Sequence, residues 1–400
     1  MMKAGNMEPG SFMEWGDGSA VSLVERLVES AWRNHASDIH IEPFADRVRI
    51  RMRLDGSLTE WALFKKEMHP PVAARVKVLA GMDIAEHRVP QDGHFQMEVD
   101  GCPVNMRVSA VPTVFGEKLV IRLLASGSII DHGETFGMEE GDYQVVRELL
   151  EAPSGLLYLT GPTGSGKTTT LYMILEFLAD RPVNIATIED PVEKNLPGIS
   201  QCQVNYPAGF GFENGLRALL RQDPDIIMVG ETRDKETAAI SMRGAITGHL
   251  VLSTLHTRDA ASAIPRLRDL GMEPYQIAGS ILGIVAQRLL RKLCPDCAEE
   301  GEANEEERRI LGAEIKKIRR PKGCARCSFT GYRGRTAIHQ ILPADRKLRT
   351  MISRDAGEEE LREYARRELG MASLKEQAAR LVAEGITSLE EYKKAVYYDE

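Results

Sequence analysis

The chain of 400 residues is informative first for what it lacks. No apolar run is long enough to cross a bilayer: the longest apolar neighbourhood, Ile277 to Leu290, is interrupted by Gly279, Gly283, Gln287 and Arg288. No N-terminal stretch joins a basic start, an apolar segment and a small-residue cleavage site, so a cytoplasmic protein is expected. Positive charge is not in excess, since 51 Lys and Arg stand against 59 Asp and Glu for a net charge of −8. With no interleaving of aromatic and basic residues, that balance argues against direct nucleic-acid binding, although a local basic stripe is compatible with it. Cysteine is scarce: there are six, four of them in two CxxC pairs, and no internal repeat is present. What remains is the composition of an ordinary globular protein, 43% hydrophobic and 28% charged, long enough for two or three domains.

The organising stretch is Gly161-Pro162-Thr163-Gly164-Ser165-Gly166-Lys167-Thr168-Thr169, which follows the apolar run Leu156 to Leu159 and opens a helical pattern through Leu171, Ile174, Leu175 and Leu178. A strand, a glycine loop and a helix in that order form a phosphate cradle: backbone N–H groups and the helix dipole meet the phosphates, Lys167 reaches the β and γ phosphates, and Thr168 serves Mg²⁺. ATP is therefore the expected ligand.

Around this loop the chain divides by pattern. Residues 1–18 read as a flexible leader and 19–125 as an N-terminal α+β domain, with a helix through Val21 to Ala31 and hairpins closed at Asp55-Gly56 and Asp100-Gly101. In the first hairpin Arg47, Arg49, Arg51 and Arg53 alternate with apolar residues and are expected, for the most part, on a solvated outer face. Residues 126–141 read as a linker, and 142–293 as a doubly wound α/β core with strands at Leu156–Thr160, Asn184–Ile188, Asp225–Val229 and Leu250–Leu255. Residues 294–335 carry the cysteine pairs around a charged segment, Glu299 to Arg320, expected as a helical tongue; 336–400 are expected to be helical, with a stop at Gly385.

Chemistry is expected where the core strands end. Ile226 to Val229 leads into Gly230-Glu231, which assigns Glu231 to the attacking water and to water-mediated metal contact. Ile188 leads into Glu189-Asp190-Pro191-Val192-Glu193, in which Glu189 supports metal or water. The strand of Leu250 to Leu255 ends at His256, a candidate γ-phosphate sensor, with His249 a weaker candidate. Arg217 and Arg221 share a helical face, where either phosphate binding or a surface salt bridge fits. Cys294, Cys297, Cys324 and Cys327 have the spacing of a structural Zn²⁺ site, the alternatives being a reduced metal-free cluster or a redox pair. Cys102 and Cys202 read as isolated buried thiols.

The ordered set Ala36-Ser37-Asp38-Ile39-His40-Ile41-Glu42-Pro43, Gly161 to Thr170, Thr187 to Glu193, Gly215 to Asp234, Thr247 to Thr257, the paired CxxC and Gly331-Tyr332-Arg333-Gly334-Arg335 resembles the bacterial traffic ATPases of type II secretion and type IV pilus assembly. The resemblance covers the chain from about residue 20 to its end. It implies a RecA-like P-loop NTPase core, a smaller N-terminal α+β (PAS-like) domain, a Cys₄ zinc module and C-terminal helices. It also implies a homohexameric ATP hydrolase, working peripherally at the inner membrane through a platform protein, with Arg107, Arg122, Arg217 and Arg221 as charge-compensating arginines. Two departures stand out: Thr232 lies within Gly230-Glu231-Thr232-Arg233-Asp234 where isoleucine is usual, and Gln340 occupies a position usually held by glutamate. The separate N-terminal docking domain of many members is not found ahead of Val21, so a short-form or truncated member is expected. Alternative readings are a DNA-uptake or competence pilus ATPase, a nucleic-acid translocase, and a non-hydrolysing ATP-binding scaffold.

Overall fold

A computed structural model describes residues 19–124 and 135–396, so the expected leader and most of the expected linker lie outside the described residues. Among the described residues two compact units are present, the first comprising residues 19–124, 293–299 and 320–334, the second 135–292, 300–319 and 335–396.

The first unit contains α1 (Ala20–Arg33), β1 (Ala36–Pro43), β2 (Arg47–Leu54), β3 (Ser57–Lys65), α2 (His69–Leu79), β4 (Gln91–Val99), β5 (Cys102–Thr113) and β6 (Gly116–Leu124). The strands form one antiparallel sheet in the order β3-β2-β1-β6-β5-β4. Alternation decides which face is buried. Ile39, Ile41, Ile50, Met52, Met106, Val108, Leu119 and Ile121 point to the same side, where Leu23, Leu27 and Val28 of α1 and Val72 and Val76 of α2 cover them. Both expected hairpin turns place Asp then Gly at positive φ, Asp55 at 46° and Gly56 at 87°, Asp100 at 51° and Gly101 at 78°.

The opposite face corrects the expectation of freely solvated arginines. Glu42 on β1 is buried and accepts from Arg49 Nε at 3.1 Å and from Arg51 Nη2 at 2.7 Å, with Lys118 Nζ at 2.9 Å. Asp38, also buried, accepts from Arg122 Nε at 2.9 Å and lies 3.5 Å from Arg53. Burial alone would raise the Glu42 carboxyl, but Arg51 and Lys118 hold it down at about 2. Arg49, Arg51 and Arg53 of β2 are thus cross-strand partners of β1, while Arg47 is exposed beside Asp46.

The second unit alternates strand and helix: α3 (Glu140–Leu149), β7 (Gly155–Thr160), α4 (Lys167–Ala179), β8 (Ile185–Glu189), β9 (Ser200–Gln203), α5 (Phe212–Leu219), β10 (Ile226–Val229), α6 (Lys235–Ile246), β11 (Leu250–Leu255), α7 (Ala263–Asp269), α8 (Pro274–Ser280) and β12 (Ile281–Leu293). There follow β13 (Glu299–Glu302), α9 (Glu305–Leu311), β14 (Lys317–Arg320), β15 (Tyr332–Pro343), α10 (Arg346–Ser353), α11 (Glu358–Arg367), α12 (Leu374–Ala383) and α13 (Leu389–Val396). The sheet order is β15-β12-β7-β11-β10-β8-β9, parallel at each junction from β12 to β9. Successive residues of β7 go to opposite faces: Leu156 and Tyr158 into a core with α5 to α8, Leu157 and Leu159 into one with α3 and α4. The expected α/β core is therefore present, with every residue of β7 buried.

Two differences have physical causes. β12 runs for 13 residues through a region read only as apolar, because a strand buried on both faces has no period to separate it from a helix. The expected tongue holds a single helix of seven residues, α9, flanked by the two-stranded sheet β13-β14.

Candidate active site

The loop Gly161 to Gly166 connects β7 to α4, so it leaves the carboxyl end of a strand paired on both sides. Gly166 is the N-cap of α4 in the left-handed region, at φ 87°, and no side chain caps the helix. The first-turn N–H groups are thereby left for an anion. Lys167 is buried, and its Nζ donates to loop carbonyls, Gly161 O at 2.8 Å and Pro162 O at 3.1 Å. Burial pushes the ammonium down to about 8, opposed by Glu231 and assisted by Arg288. Ser165 Oγ is buried without a hydrogen-bond partner. An uncapped helix end, an orphaned hydroxyl and a cation satisfied only by carbonyls fit a phosphate chain, with Thr168 at the start of the helix fit to hold Mg²⁺.

Glu231 follows β10, and its carboxylate is mostly enclosed. Arg233 Nε lies 2.5 Å from Glu231 Oε2, and His256 Nε2 lies 3.8 Å from the same oxygen. The turn that carries Glu231 is pinned to β11: Thr254 Oγ1 donates to Gly230 O at 2.8 Å, Thr232 N donates to Thr254 O at 2.9 Å, and the Thr232 and Ser253 hydroxyls are 2.9 Å apart. Threonine at 232 is therefore an integral part of the site wall. His256 is half exposed; burial and the Lys167 ammonium push its imidazole below the usual range against the pull of Glu231, so it is neutral at pH 7. Lys167, Glu231 and His256 thus occupy one electrostatic neighbourhood at the strand ends.

Glu189 ends β8 in a different setting. Its Oε1 accepts from Thr187 Oγ1 at 2.5 Å and from Gln201 Nε2 at 3.1 Å, and its Oε2 accepts from the Tyr172 hydroxyl. Tyr172 in turn accepts from Glu193 N at 3.0 Å, which joins α4 to the loop after β8. Both carboxylate oxygens are engaged and the residue is buried.

The remaining candidates are dispersed. Arg217 lies 3.1 Å from Glu213 on α5, and Arg221 Nη1 donates to Arg217 O at 2.8 Å, closing the helix end. Arg107 and Arg122 face each other across β5 and β6 in the first unit, both exposed. His249 donates from Nδ1 to Gly244 O at 3.0 Å and caps α6. Cys102 is exposed and Cys202 half-buried, which corrects the expectation of two buried thiols; Cys102 directly follows the tight turn at Asp100-Gly101.

Three partners escaped the sequence reading. Gln287 in β12 donates from Nε2 to Ser165 O at 2.8 Å and accepts from Thr170 Oγ1 at 2.9 Å. Arg288, buried next to it, donates to the carbonyls of Gln287 and Arg258. Thr160 Oγ1 lies 2.6 Å from Thr257 Oγ1 and accepts from Thr257 N at 2.9 Å, tying the start of the P-loop to the turn beyond His256. The polar pair Gln287-Arg288 inside an apolar run was the available signal.

The ligand atoms of Cys294, Cys297, Cys324 and Cys327 lie within 4.8 Å of one another. Three sulfur separations are 4.0 Å for Cys294–Cys324 and 3.8 Å for Cys297–Cys327 and Cys324–Cys327. A tetrahedron with Zn–S bonds of about 2.3 Å has edges of about 3.8 Å. Backbone N–H groups of Gly323, Cys324 and Gly331 point at sulfur at 3.2–3.3 Å, as thiolates require. The cluster fits one Zn²⁺, and the segment carrying it is held by Gly334 N donating to Asp55 Oδ2 at 3.0 Å. Among the described residues no helix is long and apolar enough to cross a membrane.

The chain is 45% identical to the type II secretion system protein E of Pseudomonas aeruginosa over 378 residues, covering 94% of this chain and 75% of that protein. It is 44% identical to the type II secretion system ATPase E of Vibrio cholerae, with 94% and 75% covered. To the type IV pilus assembly ATPase PilB of Thermus thermophilus it is 44% identical over 97% of this chain but only 44% of that protein. In fold it is similar to the Legionella pneumophila ATPase DotB, with a TM-score of 0.69 at 21% identity, covering 98% of this chain and 100% of that one. The pilus retraction motor PilT with bound ADP is a further structural neighbour, with a TM-score of 0.62 at 24% identity and coverages of 92% and 96%. The family described as Type II/IV secretion system protein matches residues 14–394, and the chain belongs to it.

Proposed function

We propose that the chain is an ATP-hydrolysing motor subunit that assembles as a homohexamer and drives type II secretion or type IV pilus extension from the cytoplasmic side of the inner membrane, through a platform protein. The observation that carries this reading is the convergence of Lys167, Glu231 and His256 at the ends of three neighbouring parallel strands beside an uncapped helix.

In this reading the P-loop residues Gly161 to Thr169 hold the phosphates, and Lys167 sets the charge that meets the γ-phosphate. Glu231, steadied by Arg233, orients the attacking water and takes its proton, while neutral His256 senses the γ-phosphate at the same carboxylate. Thr168 would hold Mg²⁺, which would supply positive charge beside the phosphate oxygens. Glu189 supports the site from its buried network with Tyr172, Thr187 and Gln201. Arg217 and Arg221 within the subunit, and Arg107 and Arg122 from a neighbour, spread positive charge over the transition state. The four cysteines hold a structural Zn²⁺, for four thiolates leave no open coordination position. The division at residues 19–125, 142–293, 294–335 and 336–400 is the domain scheme that goes with this reading.

The test is steady-state ATP turnover of the purified oligomer, with and without single-stranded and duplex DNA, beside Glu231→Gln. Turnover indifferent to DNA and lost in the variant is expected. Strong stimulation by DNA would favour a translocase instead, and a well-formed hexamer without turnover, even with its platform protein, would favour a binding scaffold.

A further inference from the structure

The P-loop contains three glycines at positive φ: Gly161, Gly164 and Gly166. They are not equivalent. A Cβ on Gly164 would meet open space, so that position needs glycine only for its backbone angle. A Cβ on Gly161 would lie 2.4 Å from Gln287 O, and one on Gly166 would lie 2.8 Å from Gln287 Nε2. At two of its three glycines, then, the nearest atom to the loop belongs to the same residue of another strand, Gln287.

That residue is placed by the sheet. Ala286 of β12 is in register with Thr160, the last residue of β7, so Gln287 stands opposite the point where the loop begins. Its amide is buried and bonded at both ends: Nε2 donates to Ser165 O in the loop, and Oε1 accepts from Thr170 Oγ1 on α4. One planar group thus fixes the angle between the loop and the first turn of its helix, the two parts whose N–H groups converge on phosphate. The next residue, Arg288, donates to Arg258 O in the turn after His256, so the same two positions of β12 also reach the other wall of the site.

We propose that Gln287 is a positioning residue of the nucleotide site, its buried amide holding Ser165 and Thr170 so that the P-loop is set for phosphate before ligand arrives. This rests on the nucleotide reading given above. Gln287 touches no reacting atom in this role and acts through the loop.

The test is binding of Mg²⁺–ADP to the full chain by calorimetry, with three substitutions and one double variant. Gln287→Met keeps the volume and leaves Ser165 O and Thr170 Oγ1 without partners; the affinity for ADP is expected to fall about tenfold. Thr170→Val removes one end of the same bridge, and its effect on affinity should largely vanish when Gln287 is already Met, because both act through one contact. Gln287→Glu supplies a readout that a merely structural role would not move. Its protonated acid donates to Ser165 O as the amide does and its carboxylate cannot, so affinity relative to wild type should be near normal at low pH and fall as pH rises. This variant also serves if Gln287→Met does not fold. Additive losses, or Gln287→Glu tracking the wild-type pH profile, would overturn the role of Gln287 while leaving the nucleotide reading intact; wild-type protein that binds no ADP or ATP would overturn both.

Discussion

At the scale of single residues, Glu231 and Lys167 make separable predictions. Glu231→Gln keeps the shape of the carboxylate but not its basicity, so turnover is expected to drop about a hundredfold or more while ATP binding persists. Single-turnover kinetics beside equilibrium binding would check both halves. Lys167 is held at about 8 in the folded chain against an ordinary value of 10.5. Below pH 8 the buried ammonium is charged in both states and its burial cost falls wholly on the folded one. Between about 8 and 10.5 the unfolded chain holds the proton that the folded chain has released, so the ligand-free protein gains stability as pH rises. Affinity for ADP should run the other way, flat below pH 8 and weakening above it, with the break absent in Lys167→Arg. The P-loop and Glu231 were legible in the sequence because strand, glycines and lysine, or strand and carboxylate, are contiguous there. The part of Gln287 was not, since its partners are 117 and 122 residues away, and the saturation of Glu189 was not, since it depends on which way the Tyr172, Thr187 and Gln201 side chains point.

At the scale of elements, the fastening of α13 to β12 depends on a buried pair. Glu391 accepts from Arg291 N at 3.0 Å and from Arg291 Nη2 at 2.7 Å, and Thr387 Oγ1 donates to Arg291 O at 2.7 Å. Glu391→Ala leaves a buried guanidinium without its main partner and should cost about 3–5 kcal/mol locally. Hydrogen exchange across α12 and α13 would report it. Burial works to raise the Glu391 carboxyl but Arg291 prevails and holds it below the usual range; the contact is therefore complete above the ordinary carboxyl value and is lost as pH falls through the depressed one. Helices such as α4 and α12 were readable from their apolar period, and the stop at Gly385, φ 72°, from its residue type. β12 was not, and β3 was signalled only by the turn at Asp55-Gly56 that precedes it. A bulge opposite Ile50-Arg51 breaks the alternation of β3, and burial on both faces removes it from β12.

At the scale of the whole molecule, the cysteine cluster joins segments about 30 residues apart, and metal should therefore act as a cross-link. About one Zn²⁺ per chain is expected by elemental analysis. Its removal by chelator, or Cys327→Ser, should lower the thermal midpoint while ADP affinity stays within about twofold, because the P-loop, Glu231 and His256 belong to the second compact unit and the cysteines to the first. The sequence did not reveal that residues 293–299 and 320–334 belong with residues 19–124, since chain order carries no information about which distant segments pack together.

The strand order sets the gauge of the site. β11 lies between β7, which delivers the phosphate loop, and β10, which delivers Glu231. Two ladder spacings of roughly 4.8 Å put those strand ends about 10 Å apart, the gap that the proposed hydrolysis would have to fill with a terminal phosphate and one water. No side chain can adjust that width, because it is fixed by main-chain hydrogen bonds. β11 therefore works as a spacer of one strand's thickness, and substitutions elsewhere can tilt or charge the walls of the site but cannot bring them closer together.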